Sequence, residues 1–212
     1  GNHDVRFVIT MDDDDETCNT DEMRDWMDSL GVDLKYNFGQ SKTKIEACNA
    51  DMDGESADVM LLTSDDMIPT TEGYDDVIFS GFKEYFPDFD GAIKFYDGLR
   101  PPNDALMTLP IIGGRLYEAM GNFYYPGYES LYADNDTTHI CAMLNKFVVS
   151  QMCIIRHEWI QGNHPDADEL HQLQESPEMY QKDLEVFNSR KANSFNIDTI
   201  RGRMGISPPA PI

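Results

Sequence analysis

Apolar and polar positions along this chain switch between a period of two and a period near 3.6, and the switches mark its elements. Val5-Arg6-Phe7-Val8-Ile9-Thr10-Met11 is β-branched and apolar and predicts a strand. Thr20 then caps a helix through Leu30, with Met23, Trp26, Met27 and Leu30 at helical spacing, early acids Asp21 and Glu22, and Gly31 as its stop. Val32 to Tyr36 predicts a second strand, and Ile45 to about Met52 a helix opened by Gly39-Gln40-Ser41-Lys42-Thr43-Lys44. Further on, Gly73 to Phe86 has Tyr74, Val77, Ile78, Phe82 and Tyr85 on one helical face, ended by Pro87. Gly91 to Tyr96 and Leu106 to Ile112 read as strands and Arg115 to Met120 as a short helix. A helix follows from about Asp134 to Lys146, then a strand over Val148 to Ile155. Residues 166–192 read as one or two amphipathic helices interrupted at Pro177, and Ser207 to Ile212 as a loose proline-rich tail.

The stretch Ala57-Asp58-Val59-Met60-Leu61-Leu62-Thr63-Ser64-Asp65-Asp66-Met67-Ile68-Pro69 organises the rest. Its short apolar run predicts a central strand buried on both faces, and Pro69 stops it. Strands alternating with helices define an α/β fold with a mostly parallel sheet. The boundaries are 1–160 for the α/β domain and 161–212 for a helical extension. In open α/β sheets ligands sit beyond the carboxyl ends of the strands. Asp65 and Asp66 stand at such an end, either as turn caps or with oxygens turned to a hard cation and its phosphates.

Charge sharpens this picture. With 39 acidic and 16 basic residues the net charge is −23, which argues against nucleic acid and anionic membranes as partners. No apolar stretch approaches the length of a membrane span, and no charged start with an apolar run marks a signal peptide. The four cysteines are scattered without a Cys-x-x-Cys pair, which disfavours structural zinc and suits reduced thiols of a cytoplasmic protein. Nothing in the pattern specifies an oligomeric state.

Candidate chemistry lies at the element ends. Asp12-Asp13-Asp14-Asp15-Glu16 follows the first strand as a solvated loop or as part of a ligand site. The Gly39–Lys44 segment is not a Walker A loop, yet it puts hydroxyls and lysines near a helix start. Asn49-Ala50-Asp51-Met52-Asp53-Gly54 matches half of a calcium loop, but the twelfth position falls on Met60, so it reads as a helix end and turn. Asn122 to Tyr132 is aromatic-rich, suited either to walling a sugar or to packing under a loop. Asp134 stands where a helix N-cap would, and His157 follows the last strand.

Taken in order, these pieces resemble a GT-A-fold glycosyltransferase of the family 2 type, particularly its compact phage or bacterial members. The resemblance runs from Val5 to Trp159 and rests on the strand ending in acids, Lys44-Ile45-Glu46-Ala47-Cys48-Asn49, Ser64-Asp65-Asp66, the proline–tyrosine segment, Asp134-Asn135-Asp136 and the late histidine. The family's usual first strand and helix have no counterpart before Val5, and Thr63 stands where the family has the first acid of its Asp-x-Asp motif. The resemblance implies that Asp12 or Asp13 meets the nucleotide base and that Lys44 lies near the nucleotide. It implies Asp65 and His157 as ligands of Mn²⁺ or Mg²⁺, Asp66 beside the donor, and Asp134 as general base. Asp97, Gly114, Tyr125 and Tyr128 would touch donor or acceptor sugar.

The expected activity is therefore inverting transfer of a sugar, UDP-linked by preference, from a nucleotide-sugar to an acceptor hydroxyl on a glycan or another molecule. The alternatives are a nucleotide-sugar- or metal-binding remnant without turnover, and a nucleotidyltransferase, which normally carries an early glycine-rich basic loop that is not seen here.

Overall fold

The computed structural model describes residues 3–158 and 176–207. Strand β1 (Arg6–Asp12), helix α1 (Asp21–Ser29) and strand β2 (Asp33–Gly39) form a β-α-β unit whose strands pair in parallel, Arg6 opposite Asp33 and Asp12 opposite Gly39. Thr20 caps α1 by accepting the amide of Met23, as its position in the sequence predicts. Helix α2 (Lys44–Asn49) is capped by Thr43, which accepts the Glu46 amide, while the Glu46 carboxylate reaches back to the Lys42 amide at 2.7 Å. Asp51 takes a left-handed φ of 58° just after α2, so the half calcium loop is a helix end and turn.

A four-stranded sheet forms the centre, in the order β3 (Val59–Leu61), β6 (Ile111–Gly113), β5 (Ala92–Lys94), β7 (Phe147–Val149). β6 runs antiparallel to both β3 and β5, and β5 is parallel to β7. The fold is α/β, with mixed rather than mostly parallel sheets: β1–β2 and β5–β7 are parallel and the remaining pairings antiparallel. β3 lies at the edge of its sheet, not at the centre. Its apolar run reflects coverage of both faces: Met60 points into one core cluster, Val59 and Leu61 into the other.

The same alternation runs across the sheet. Ala92 and Ile112 face a core shared with helices α4 (Gly114–Met120), α5 (Ala133–Met143), α6 (Pro177–Ala192) and α7 (Ile197–Met204). Ile93 and Ile111 face a second core with α3 (Tyr74–Tyr85). The result is three layers, helices on both sides of a sheet. Phe187, Phe195, Ile197, Ile200 and Met204 belong to the first core, so the described part of the expected extension shares a core with the α/β region. Residues 166–175 of the expected amphipathic helices, Trp159 and the tail beyond 207 lie outside the described residues.

The expected strand over Val148 to Ile155 is two strands, β7 and β8 (Ile155–His157). β8 pairs antiparallel with β4 (Met67–Pro69), Met67 opposite His157 and Pro69 opposite Ile155. Pro69 thus ends a two-stranded ribbon rather than β3, a position where its missing N–H breaks no wider ladder. All four cysteines are free thiols. No helix among the described residues is long and apolar enough to cross a membrane.

Candidate functional site

The β4–β8 ribbon brings two chemistry-bearing side chains together. Asp66 immediately precedes β4, and its carbonyl accepts the Glu158 amide at 2.7 Å, which fixes it opposite the end of β8. Its carboxylate Oδ2 lies 2.9 Å from His157 Nε2, and its Oδ1 accepts the Ser64 hydroxyl. Burial works against ionisation of Asp66, but hydrogen bonds from His157 and Ser64 and the charges of His157 and Lys44 outweigh it and bring its carboxyl down to about 2. The His157 amide donates to the Asp97 carbonyl, and its ring Nδ1 is buried with no hydrogen-bond partner among the described residues.

Asp134 lies in the first turn of α5. Tyr132, in a left-handed conformation, occupies the cap position, so Asp134 is not the N-cap and its Oδ1 accepts only the Asn135 amide at 2.8 Å. The Thr138 hydroxyl donates to the Asp134 carbonyl and accepts from the Met107 amide, tying this turn to the segment after β5. Burial raises the Asp134 carboxyl above the usual range, opposed by the Asn135 amide and by the positive charges of Lys44 and Arg100. Lys44, exposed at the start of α2, therefore acts on both Asp66 and Asp134. Helix α2 is held there by Asn49, whose side chain exchanges hydrogen bonds with the Tyr124 backbone at 2.8 and 3.2 Å.

Arg100 is positioned by its own loop. Asp97, 1 % exposed, accepts the Leu99 and Arg100 amides and the Thr108 hydroxyl, and Arg100 Nε donates to Asp104 at 2.8 Å. Lys94, at the end of β5 and 1 % exposed, has an ammonium without a hydrogen-bond partner among the described residues, and its charge acts on Asp97 and Asp104. Asp66 with His157, and Asp134 with Arg100, are thus linked through the charge of Lys44, and Lys94 lies behind Asp97 and Asp104.

Other expected site residues stand apart. Asp65, implied by the resemblance as a metal ligand with His157, is exposed with no hydrogen bond or ion pair among the described residues, and it is Asp66 that contacts His157. Asp12 ends β1 and Asp13 opens the loop after it, both exposed; the Asp13 carboxylate meets Gln40 at 3.4 Å, its amide donates to the Gly39 carbonyl and its carbonyl accepts from the Asn19 side chain. Asp97 has its carboxylate committed to its own turn, which leaves it a scaffold rather than a sugar contact. Gly114 is buried where a Cβ would lie 2.0 Å from the Ala57 carbonyl oxygen, so its glycine serves close packing of α4 on β3 and not sugar contact.

The two tyrosines lie on the far side of α5. Asp134 and Asp136 are two residues apart, roughly 200° around the helix. Asp136 faces α6, where Arg190 grips it in bidentate fashion at 2.8 and 3.0 Å and the buried Tyr128 hydroxyl donates to it at 2.9 Å. Tyr125 sits beneath the Arg190 guanidinium, 4.1 Å from ring centroid to Cζ. Asp183, fully buried on α6, accepts the amides of Glu129, Ser130 and Leu131 at 2.7–3.0 Å and holds the aromatic segment in place. Neither Arg190 nor Asp183 stands out in the sequence, because each looks like one more charge on an amphipathic helix.

No family model, curated protein or solved structure matches this chain.

Proposed function

We propose that the protein is a metal-dependent glycosyltransferase that moves a sugar from a nucleoside diphosphate donor, UDP-linked by preference, to an acceptor hydroxyl. The observation that supports this reading is the Asp66–His157 contact at the β4–β8 corner, 2.9 Å, together with a second acid, Asp134, in the first turn of α5 whose carboxyl burial raises while that of Asp66 is lowered. Pairs of acids with pKa values pushed apart are how sites divide ionic and proton-transfer roles.

Asp66 and His157 offer two of the donors a divalent cation would need, while the one cluster of three possible ligands among the described residues is His3, Asp75 and Asp76. Asp66 and His157 present an oxygen and a nitrogen 2.9 Å apart, with the Asp65 and Ser64 oxygens adjacent in sequence. An imidazole beside carboxylates suits Mn²⁺ better than Mg²⁺, which prefers all-oxygen surroundings. When bound there, the ion would supply Lewis-acid neutralisation of a diphosphate. Lys44 and Arg100 add positive charge to the same place, where an overall charge of −23 would otherwise repel a nucleotide. Asp134 accepts the proton of the acceptor hydroxyl as its oxygen bonds to the anomeric carbon. The bond from that carbon to the diphosphate oxygen breaks with inversion, and the diphosphate keeps the electron pair.

Calorimetric titration with UDP, with and without Mn²⁺, tests the reading. The expected result is metal-dependent binding that Asp66→Ala weakens by about tenfold or more, equivalent to ~1.4 kcal/mol. No binding of UDP, GDP or other nucleoside diphosphates in the presence of metal would overturn it. Binding without transfer to any acceptor would leave a nucleotide-sugar-binding protein, and release of pyrophosphate would indicate nucleotidyl transfer.

A further inference from the structure

A groove of about 440 Å³ opens between the Tyr125–Gly127 corner and the C-terminal half of α6, on the side of α5 away from Asp134. Its volume falls in the range of small-ligand sites. We infer that it is a binding site for a neutral pyranose unit of a glycan, separate from the Asp66–Asp134 group and independent of the transfer reaction proposed above.

The platform comes first. Tyr125 is 39 % exposed, yet its ring is fixed from several sides. Arg190 covers one face at 4.1 Å, and Tyr128 abuts the ring edge-on at 5.9 Å. Gly127 is required by the same placement, because a Cβ there would lie 2.5 Å from Tyr125 Cε1. A loop tyrosine that is exposed but immobilised offers apolar surface to a ligand at little entropic cost. The axial C–H face of a pyranose is the complementary surface.

The rim matches hydroxyl groups. Ser189 and Asn196 have no recorded side-chain partner among the described residues, and Asn193 uses its amide N–H on the Ser189 carbonyl at 3.0 Å, leaving its oxygen as an acceptor. These groups mix donors and acceptors, as sugar hydroxyls do. The backbone that sets them is strained. Ser194, Phe195 and Asn196 are three consecutive non-glycine residues with φ of 49°, 52° and 55°. Left-handed backbone costs roughly 1–2 kcal/mol per residue. Burial of Phe195 among Phe187 and His139 holds the turn, and the turn brings Asn193 and Asn196 to the same groove. Strained backbone held by its surroundings in this way clusters at active sites, ligand clamps and switch regions.

Charge excludes an anion. The Arg190 guanidinium is consumed by both oxygens of Asp136, and the remaining charge in the lining is the Glu185 carboxylate. The ligand therefore carries no negative charge, and the mixed donors and acceptors of the rim suit one rich in hydroxyls.

Saturation-transfer NMR on the full chain tests this, with maltotriose, cellotriose, mannotriose and chitotriose as probes and a galacturonate trimer as the charged control, without nucleotide or metal. The expected result is transfer to C–H protons of at least one neutral trisaccharide and none to the charged one. Tyr125→Ala and Ser189→Leu should abolish it. The second variant fills the groove from an exposed helix position and leaves the core untouched. Ser189→Leu should leave metal-dependent UDP binding unchanged, which separates this site from the proposed transfer site. No transfer to any neutral probe, or an undiminished signal in Ser189→Leu, would overturn the inference, whatever the outcome of the UDP titration.

Discussion

At the scale of single residues, burial of Asp134 sets up an opposition between the proposed activity and stability. Its carboxyl is raised, so the ionised form is the disfavoured one in the folded state. Below the unfolded-state pKa both states carry a neutral group and nothing is lost. As pH rises through the folded pKa, an ionisation penalty builds and persists to neutrality. Asp134→Asn should therefore cut transfer by roughly 10²–10⁴-fold, the usual range for a general base, while raising the melting temperature at pH 7. That gain should vanish near pH 3, and differential scanning calorimetry at the two pH values checks it. Asp66 has the opposite sign. Its folded pKa lies below the unfolded value, so its contribution is present at neutral pH and is lost as pH falls from about 4 toward 2. Asp66→Asn should flatten the acid limb of the stability curve, measured by thermal melts between those limits. Sequence located the Ser64-Asp65-Asp66 corner but not which acid would turn inward. That choice is made by the pairing of Met67 with His157, a contact between strands 90 residues apart, and adjacent identical residue types carry no sign of it.

At the scale of elements, α6 works as a clamp on the segment before α5. Arg190 is 10 % exposed in its side chain and Asp136 is 1 % exposed, so the pair is desolvated. Removing only the cation strands a buried carboxylate, and Arg190→Met should destabilise the fold by about 3–5 kcal/mol. Arg190→Met combined with Asp136→Leu should recover most of that loss, since the charge to be solvated is gone. Urea melts of the wild type and both variants give the comparison, and a double variant no better than the single would show that the pair holds a shape apolar side chains do not reproduce. Local signals predicted most elements well: Thr20 as a cap, the helix from Tyr74 to Tyr85, and a short helix ending at Met120. They failed where the determinant is distant. β4 has only three residues and exists through β8. The short helix α7 is polar on much of its surface, and its buried face, Ile197, Ile200 and Met204, meets a core assembled from across the chain. β3 sits at an edge because a run buried on both faces looks the same wherever it falls in the strand order.

At the scale of the whole molecule, charge is the dominant unbalanced quantity. Several ion pairs among the described residues, such as Arg6 with Asp33 and Arg156 with Glu158, are substantially exposed. Exposed pairs contribute about 0–1 kcal/mol each. With 39 acids against 16 cations, most acids have no cation to pair with, and their mutual repulsion opposes the compact state. That repulsion acts over long distances, and a Debye length of about 10 Å at 0.1 M salt screens it more than it screens contacts near 3 Å. Melting temperature should therefore rise as sodium chloride increases from about 0.01 M to about 0.5 M, spanning Debye lengths from ~30 Å to a few ångströms. Lys94 refines the expectation, because its buried ammonium has no hydrogen-bond partner among the described residues and its loss removes a desolvated charge. Lys94→Met should leave stability unchanged or raise it by ~1 kcal/mol at high salt, where its attraction to Asp97 and Asp104 counts for less. The same variant should weaken UDP–Mn²⁺ binding if its charge supports the anionic site. A fall in melting temperature with salt would mean that specific ion pairs outweigh the net repulsion. A large loss of stability in Lys94→Met at every salt concentration would make that lysine a structural counter-charge to Asp97 and Asp104 rather than part of the site.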